Sequence, residues 1–299
     1  MRWLVLLLFA VSAAWTHSRG KVRHGFFRQL SDHSTFTAPL NGFVYLFSAL
    51  PAQPYLPPSR FPELKLLKEE WRTIRDEAFA LRDASHIRAA TAYNDIGFNS
   101  FFRNGWRRFY LKWYGRPHPS AVALCPRTVE LLGRIPSVKA AMFAQLPPGG
   151  RLGLHRDPYA GALRYHLGLA TPNHDGCAIV VDGETYSWRD GEDIVFDETY
   201  LHYAFNDTQE DRIILFCDIE RPMKYRWARA INRAIGSFLM RAAASPNETG
   251  DYTGGLNRIF RYLYMVRRAG KRLKAWNRTV YYVVKWCLFI AIALAIFWR

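Results

Sequence analysis

The 299-residue sequence predicts a mainly β protein with flanking helices, whose core is a double-stranded β-helix, a jelly-roll barrel of two sheets. Residues 138–219 form a succession of short apolar or alternating runs separated by turn residues, a pattern typical of strands. The segments on both sides of this region show the apolar spacing of helices instead. Apolar runs at both chain ends add a third expectation, which is that the terminal helices anchor the protein in a membrane.

The clearest strand within this region is residues 163–169. Alternate residues of a strand point to opposite faces of the sheet. One face would carry Leu163, Tyr165, Leu167 and Leu169, and the other Arg164, His166 and Gly168. The apolar set indicates a core-facing surface, whereas arginine and histidine on the opposite face need water or an anion. A solvated sheet face remains the alternative to a binding site. A further strand, which begins at Arg212, is predicted to be buried on both faces.

Helices and linkers surround the predicted barrel. Five prolines mark residues 51–62 as a linker, and an apolar stripe through Leu64, Leu67, Trp71 and Ile74 predicts a helix over residues 63–82. The predicted organisation is a membrane anchor (1–18), a basic and Pro-rich linker (19–62), the catalytic domain with a helical N-terminal part (63–222), a basic helical membrane-surface region (223–278) and a C-terminal membrane segment (279–299).

The N-terminal apolar run, residues 3–15, is shorter than the ~20 residues that cross a bilayer directly. A cleaved signal peptide is one interpretation. Against it, Arg2 alone precedes the run, whereas Lys21, Arg23 and Arg28 follow it. Because positive charge favours the cytoplasmic side, the run is interpreted as an anchor with its N-terminus outside.

The C-terminal segment repeats this pattern. Residues 279–298 are apolar except for Lys285, and residues 224–285 carry fourteen Lys or Arg against two acidic residues, a local charge of +12 out of +16. A basic stretch that runs into an apolar terminus favours an anionic membrane surface over nucleic acid. A buried or surface-lying amphipathic helix is the alternative. Four scattered cysteines give no zinc or disulfide pattern, and the sequence indicates no protein partner.

Three residues are candidate metal ligands: His155, Asp157 and His202. Residues two apart in a strand face the same way, so His155 and Asp157 can reach one ion while His202 arrives from another strand. Two histidines and one carboxylate on one face of an octahedron are typical of non-haem iron(II) oxygenases. A core histidine and a turn-forming aspartate are the alternatives for His202 and Asp157.

The sequence resembles the aspartyl/asparaginyl β-hydroxylase family of iron(II)/2-oxoglutarate dioxygenases. The resemblance is carried by the Pro148–Gly149 turn, His155, residues 164–169, His202, and Arg212 with Asp218. Over almost the whole chain, including residues 20–24 and 220–225, the sequence is similar to the bacterial lipid A hydroxylases of this family. Some peptidyl hydroxylases of the family replace the carboxylate ligand with glycine, but Asp157 is present here.

This resemblance implies a cofactor set and a reaction. Iron(II) would bind His155, Asp157 and His202, and 2-oxoglutarate would pair with Arg212, with Arg164 and His166 as further contacts. Arginine suits this role because its planar fork matches a carboxylate. With O2, and with ascorbate in support, the enzyme would hydroxylate C2 of a lipid A acyl chain and release succinate and CO2. Its expected location is the cytoplasmic face of a bacterial inner membrane.

Two other functions compete with this one. A peptidyl aspartate/asparagine β-hydroxylase needs a soluble peptide groove and has no use for two membrane anchors. A non-catalytic membrane adaptor would carry a degenerate barrel, against which the complete set of His155, Asp157, His202 and Arg212 argues. Asp193 and Asp197 are interpreted either as partners of a ligand histidine or as ordinary turn residues.

Overall fold

The computed structural model describes residues 2–90 and 95–297. Its ten strands form two antiparallel sheets, a six-stranded major sheet and a four-stranded minor sheet. The strands are β1 (Tyr55–Leu56), β2 (Arg107–Trp113), β3 (Val138–Leu146), β4 (Arg151–His155), β5 (Ala162–Ala170), β6 (Cys177–Val181), β7 (Glu184–Ser187), β8 (Asp193–Phe196), β9 (His202–Asn206) and β10 (Arg212–Glu220).

The strand order identifies the fold. The major sheet runs β1-β8-β5-β10-β3-β2 and the minor sheet runs β4-β9-β6-β7. The eight strands from β3 to β10 are therefore divided four to each sheet, as in a double-stranded β-helix. The predicted fold class is confirmed by this topology.

Eleven α-helices lie within the described residues. They are α1 (Arg2–Ser18), α2 (Phe26–Leu30), α3 (His33–Phe36), α4 (Ala38–Phe47), α5 (Lys65–Glu69), α6 (Trp71–Asp83), α7 (Pro119–Leu124), α8 (Pro126–Gly133), α9 (Arg226–Ile235), α10 (Gly255–Trp276) and α11 (Arg278–Phe297). The single helix predicted over residues 63–82 is a 3-10 turn followed by α5 and α6, with a break at Glu70.

The two faces of β5 separate the core from the site, as predicted. Its apolar residues pack against Leu67 of α5 and Ile74 of α6 in the core between the major sheet and the helices. Arg164 and His166 point the other way, into the space between the two sheets. β10, at the centre of the major sheet, is buried along nearly its whole length, because one of its faces packs against the helices and the other against the minor sheet.

Residues 19–62, which the sequence predicts as a linker, hold helices α2–α4 and the edge strand β1. α4 packs against α1 and α9, and β1 pairs with β8. The prolines at 51–62 therefore lie in a segment that adds a strand to the major sheet. The difference arises because long-range pairing holds this part of the chain, and no local pattern encodes such pairing.

α11 is the one described helix long and apolar enough to cross a membrane, over Arg278–Ala295. α1, with seventeen residues, falls below the ~20 that a direct crossing requires. Both helices expose apolar side chains along their length. Positions 298 and 299 of the predicted C-terminal segment lie outside the described residues.

Candidate metal and cosubstrate site

The three predicted metal ligands come together at one end of the minor sheet. His155 is the last residue of β4 and lies directly opposite His202, the first residue of β9. Their ring centroids are 4.2 Å apart, and His155 Nε2 lies 3.8 Å from Asp157 Oδ1. Metal-binding atoms of the three residues all lie within 4.8 Å of one another. The structure thus brings together the group that the sequence predicts.

Main-chain contacts orient both imidazoles. His155 Nδ1 lies 2.6 Å from the Gly153 carbonyl oxygen, and His202 Nδ1 lies 2.9 Å from that of Tyr200. A carbonyl oxygen only accepts hydrogen bonds, so each Nδ1 carries the proton and each Nε2 keeps a free lone pair. This is the tautomer that a metal-ligating histidine needs. Burial, and then the nearby His155, lower the pKa of His202 to about 3, so its ring is neutral at ordinary pH.

Asp157 is held ready as a carboxylate. Its amide donates to the Glu198 carbonyl oxygen at 2.9 Å, and its Oδ2 accepts from Arg164 Nη2 at 2.7 Å. Burial by itself would raise the pKa of Asp157, but Arg164 and the two histidines hold it below its usual range. Two imidazoles and one ionised carboxylate form a donor set that fits iron(II).

Arg164 contacts carboxylates. Besides Asp157, its guanidinium pairs with Glu198 and lies 3.2 Å from Asp218 Oδ1, while Tyr114 donates to the other oxygen of Asp218 at 3.0 Å. The cosubstrate contact predicted for Arg164 stays a prediction, since its Nε makes no hydrogen bond in the part of the chain that the structure describes. The ion pair with Asp157 also holds that carboxylate in place. Burial raises the pKa of Glu198 well above its usual value, although the paired Arg164 opposes this effect.

Arg212 is a buried cation without a counter-ion among the described residues. Its guanidinium carbon lies 4.4 Å from the centre of the Trp188 ring, and burial lowers its pKa to about 10, which leaves it charged at neutral pH. Within residues 2–90 and 95–297, no carboxylate lies within 4 Å of it, and its Nε has no hydrogen-bond partner. A buried charge without a partner is costly, so an anionic ligand at this position would stabilise it.

His166 completes this side of the site. Its ring lies between Trp188, Phe196 and Phe216, and neither ring nitrogen has a hydrogen-bond partner in the described chain. Burial lowers the pKa of His166 well below its usual value, and Arg164 and Arg212 add to this effect. The neutral ring can donate one hydrogen bond to an oxygen of a ligand that pairs with Arg212.

These groups line one cavity between the two sheets. The predicted ligands line it together with Arg164, His166 and Arg212. The rest of the lining is mostly apolar: Phe98, Phe101, Trp106, Leu152, Ile179, Trp188, Phe196, Ala204, Ile214 and Phe216.

Asp193 and Asp197 do not bond to a ligand histidine. Asp193 pairs with Lys68 Nζ at 2.6 Å. Asp197 accepts from Arg19 Nη2 at 2.6 Å and lies 2.8 Å from Arg221 Nη2, with all three side chains buried. Arg19 also donates to Thr199, three residues before the ligand His202. The segment after α1 is thereby fixed to the loop that carries this ligand. Sequence reasoning missed this role of Arg19.

We expect Asp197→Ala to lower the free energy of unfolding by about 3–5 kcal/mol, because it leaves two buried arginines without their carboxylate. Denaturant unfolding of the detergent-solubilised protein measures this loss. Asp207→Ala is the matched control. It breaks an exposed pair with Arg151 at 2.6 Å, for which less than about 1 kcal/mol is expected. Equal losses for the two variants would contradict the structural role of Asp197.

The ion pairs of Asp197 with Arg19 and Arg221 also make the stability of the protein depend on pH. Arg19 and Arg221 depress the pKa of Asp197 against the effect of burial. The stability from a depressed carboxyl is complete above its unfolded pKa of about 3.9, and is lost as the pH falls through the folded value. Asp197→Asn should therefore reduce the loss of stability between neutral pH and acid.

Comparisons with known proteins agree with this site. Residues 68–222 match the family described as "Aspartyl/Asparaginyl beta-hydroxylase". The "Ornithine lipid ester-linked acyl 2-hydroxylase" of Rhizobium tropici is 39% identical over 131 residues, which are 44% of this chain and 46% of that protein. The "Aspartyl/asparaginyl beta-hydroxylase" of Homo sapiens is 30% identical over 187 residues, 60% of this chain and 24% of that protein.

These matches span less than half the length of each of these two relatives. Among solved structures, a Pseudomonas putida prolyl-4-hydroxylase aligns with 52% of this chain and 87% of its own, at 17% identity and a TM-score of 0.34, a likeness too low to add structural detail. The family match covers more than half of the chain, and it includes the three candidate ligands and Arg212. The chain belongs to the aspartyl/asparaginyl β-hydroxylase family.

Proposed function

We propose that this protein is an iron(II)- and 2-oxoglutarate-dependent dioxygenase that hydroxylates C2 of an ester-linked lipid acyl chain, with lipid A as the substrate. The observation that carries this proposal is the composition of the cavity. A complete His–Asp–His set lies beside a buried, unpaired arginine, and apolar side chains fill the remaining walls. Family membership supports the reaction, and the lipid hydroxylase among the relatives supports the substrate class.

His155, Asp157 and His202 would hold the iron, with Arg164 keeping Asp157 in place. Arg212 would pair with the distal carboxylate of 2-oxoglutarate, and His166 would donate a hydrogen bond beside it. When bound, iron(II), 2-oxoglutarate and O2 supply the chemistry that converts C–H to C–OH with release of succinate and CO2. The aromatic walls exclude water and position the carbon to be oxidised.

The cavity lining favours an acyl chain over a peptide side chain. Besides the charged groups assigned to iron and cosubstrate, the lining offers rings and aliphatic groups such as Phe98, Phe101 and Leu152. An Asp or Asn side chain would find few further polar groups there to bond with. Ornithine lipid, which the Rhizobium tropici relative is named for, is the second candidate substrate.

A membrane location fits this substrate. α11 and the basic helix α10 before it would hold the barrel at an anionic bilayer surface, and α1 would add a second attachment at the other end of the chain. We propose the cytoplasmic face of a bacterial inner membrane. Clusters of Lys and Arg follow the first apolar segment and precede the last one, and such charges favour the cytoplasmic side.

The substrate class can be tested directly. Purified protein with iron(II), ascorbate and 2-oxoglutarate is given lipid A, ornithine lipid, or an Asp- and Asn-containing peptide, and each is analysed by mass spectrometry. We expect one oxygen to be added to an acyl chain of lipid A. Oxidation of the peptide alone would establish the peptidyl hydroxylase function. Absence of succinate formation with every substrate would favour the non-catalytic adaptor.

Membrane attachment should resist salt. A basic patch alone contributes about 1 kcal/mol per Lys or Arg at low salt and is screened at high salt, whereas an inserted apolar helix is not. Full-length protein should therefore sediment with membranes after a high-salt wash. Deletion of residues 276–299 should weaken attachment and reduce activity on lipid A more than cosubstrate turnover. Clean release of the full-length protein by salt would show that neither terminal segment is inserted.

A further inference from the structure

Two neighbouring phenylalanines protrude from the short helix α2. Phe26 is 63% exposed and Phe27 is 83% exposed, and their rings meet edge to face at 5.6 Å. Single exposed apolar residues are ordinary, but a paired aromatic projection adjoining further exposed apolar groups indicates a binding surface.

α2 lies beside the predicted metal site. Arg28, in the same helix, donates to the Leu154 carbonyl oxygen at 3.4 Å, and Leu154 is an exposed residue directly before His155. The preceding segment is fixed as well, because the amides of Lys21 and Val22 both donate to Asp182 Oδ1, at 2.7 and 2.8 Å. Phe26 and Phe27 are therefore held near the end of β4 that carries a metal ligand.

A second exposed aromatic group lies where α4 meets α9. Trp227 is 51% exposed and packs on Phe47 of α4 at 4.8 Å, and Tyr225 stacks on Trp227 at 6.0 Å. Exposed Lys224, Arg226 and Arg229 surround this group. Tyrosine and tryptophan beside Lys and Arg are typical of a membrane–water boundary, where the rings enter the headgroup layer and the cations meet anionic lipid.

The helix layer connects these two groups to α1. α1 packs against both α3 and α4, and α2 contacts α3. Trp15 of α1 meets Tyr45 of α4 at 5.7 Å, and a side chain at Gly42 would lie only 3.4 Å from Ser12 Oγ, so the two helices approach closely. α1, which we propose as an anchor, thus packs on helices that also contact α2 and α9.

We propose that Phe26, Phe27, Tyr225 and Trp227 form a membrane-binding face, in which the two phenylalanines insert into an anionic bilayer beside the cavity. This inference rests on the proposed function and adds how a bilayer lipid reaches the site. C2 of an acyl chain adjoins the ester at the headgroup boundary, and interfacial side chains penetrate about 5–10 Å, to that same depth. A shallow insertion therefore brings the metal site to C2 without extraction of the lipid.

Insertion can be measured without activity. Cys125, Cys177 and Cys217 are buried and Cys287 is exposed, so a Cys287→Ser background accepts one environment-sensitive dye at Phe27→Cys. The full chain is placed in nanodiscs of phosphatidylethanolamine and phosphatidylglycerol. We expect the dye to be quenched by spin-labelled lipid and shielded from iodide. Asp83→Cys, an exposed position on α6 across the major sheet, is the control and should show the reverse. Iodide access at position 27 equal to that at position 83 would overturn the proposal.

A paired variant tests the consequence for the substrate. Phe26→Ser with Phe27→Ser should lower the rate on bilayer-embedded lipid A by about tenfold or more, since two apolar rings no longer enter the bilayer. Detergent-dispersed lipid A should show a smaller loss, and Val122→Ser, which removes an exposed apolar residue from α7, should show none. Unchanged rates in bilayers would contradict the insertion. If the native protein oxidises no lipid, the proposed function fails, but the dye measurement still shows whether Phe27 enters the bilayer.

Discussion

His202→Ala is expected to abolish hydroxylation and iron binding while the fold is retained. The residue provides one of the three candidate protein ligands found among the described residues, and its Nδ1 contact to Tyr200 lies within its own loop, so its loss leaves the barrel strands paired. Iron content per chain, product formation and the unfolding midpoint measure the three parts of this expectation. His174→Ala is the control, because His174 is exposed and lies outside the cavity.

His155→Ala and Asp157→Ala should have the same effect, and normal turnover by any of these variants would remove that residue from the metal site. Asp157→Gly is the most informative of the set. Some peptidyl hydroxylases of this family have glycine at this position, so residual activity would show that two histidines are enough here too. We expect no activity, because the same change also leaves Arg164 facing Glu198 and Asp218 without its third carboxylate.

Arg212→Ala is expected to raise the 2-oxoglutarate concentration required for half-maximal activity by roughly 30-fold to several thousand-fold, with iron binding intact. Removing one partner of a desolvated ion pair costs about 2–5 kcal/mol, which converts to that range of affinity. The 2-oxoglutarate requirement of Arg212→Lys should lie between those of the native protein and Arg212→Ala, since lysine keeps the charge but lacks the planar fork. A titration of cosubstrate-dependent succinate formation gives the measurement.

Arg189→Ala is the matched control for this experiment, because Arg189 pairs with Asp175 at the partly exposed edge of the barrel at 2.5 Å. Its cosubstrate requirement should match that of the native protein. An unchanged requirement in Arg212→Ala would mean that another cation holds the dicarboxylate. Arg164 would then be the first to test, despite its carboxylate partners.

The sequence predicts those parts of the site that follow from local spacing. Alternation in residues 163–169 places Arg164 and His166 on the inner face of β5. His155 and Asp157 do lie close together, but Asp157 follows the end of β4, so strand alternation is not what brings them together. The position of Arg212 at the start of a doubly buried strand is also visible in the sequence. The faces of β5 and the position of Arg212 need only the period of a strand and the polarity of a few residues.

The partners of these residues are not predictable in this way. Arg164 meets Glu198, thirty-four positions away, and Asp197 meets Arg19 across 178 positions, pairings that only the folded topology creates. The role of residues 19–62 was missed for the same reason, because their prolines indicate a linker while their contacts with β8 and α9 are long-range. The composition of a segment does not show which distant strands and helices it contacts.

The most direct test of the central claim is a mass spectrum of lipid A from cells that express this protein, compared with cells that express His202→Ala. Hydroxylation of an acyl chain at C2 predicts a lipid A species heavier by one oxygen in the first cells and its absence in the second, with fragmentation placing the oxygen next to the ester carbonyl. Identical spectra, with no oxygen gained by any lipid A species, would contradict lipid A as the substrate.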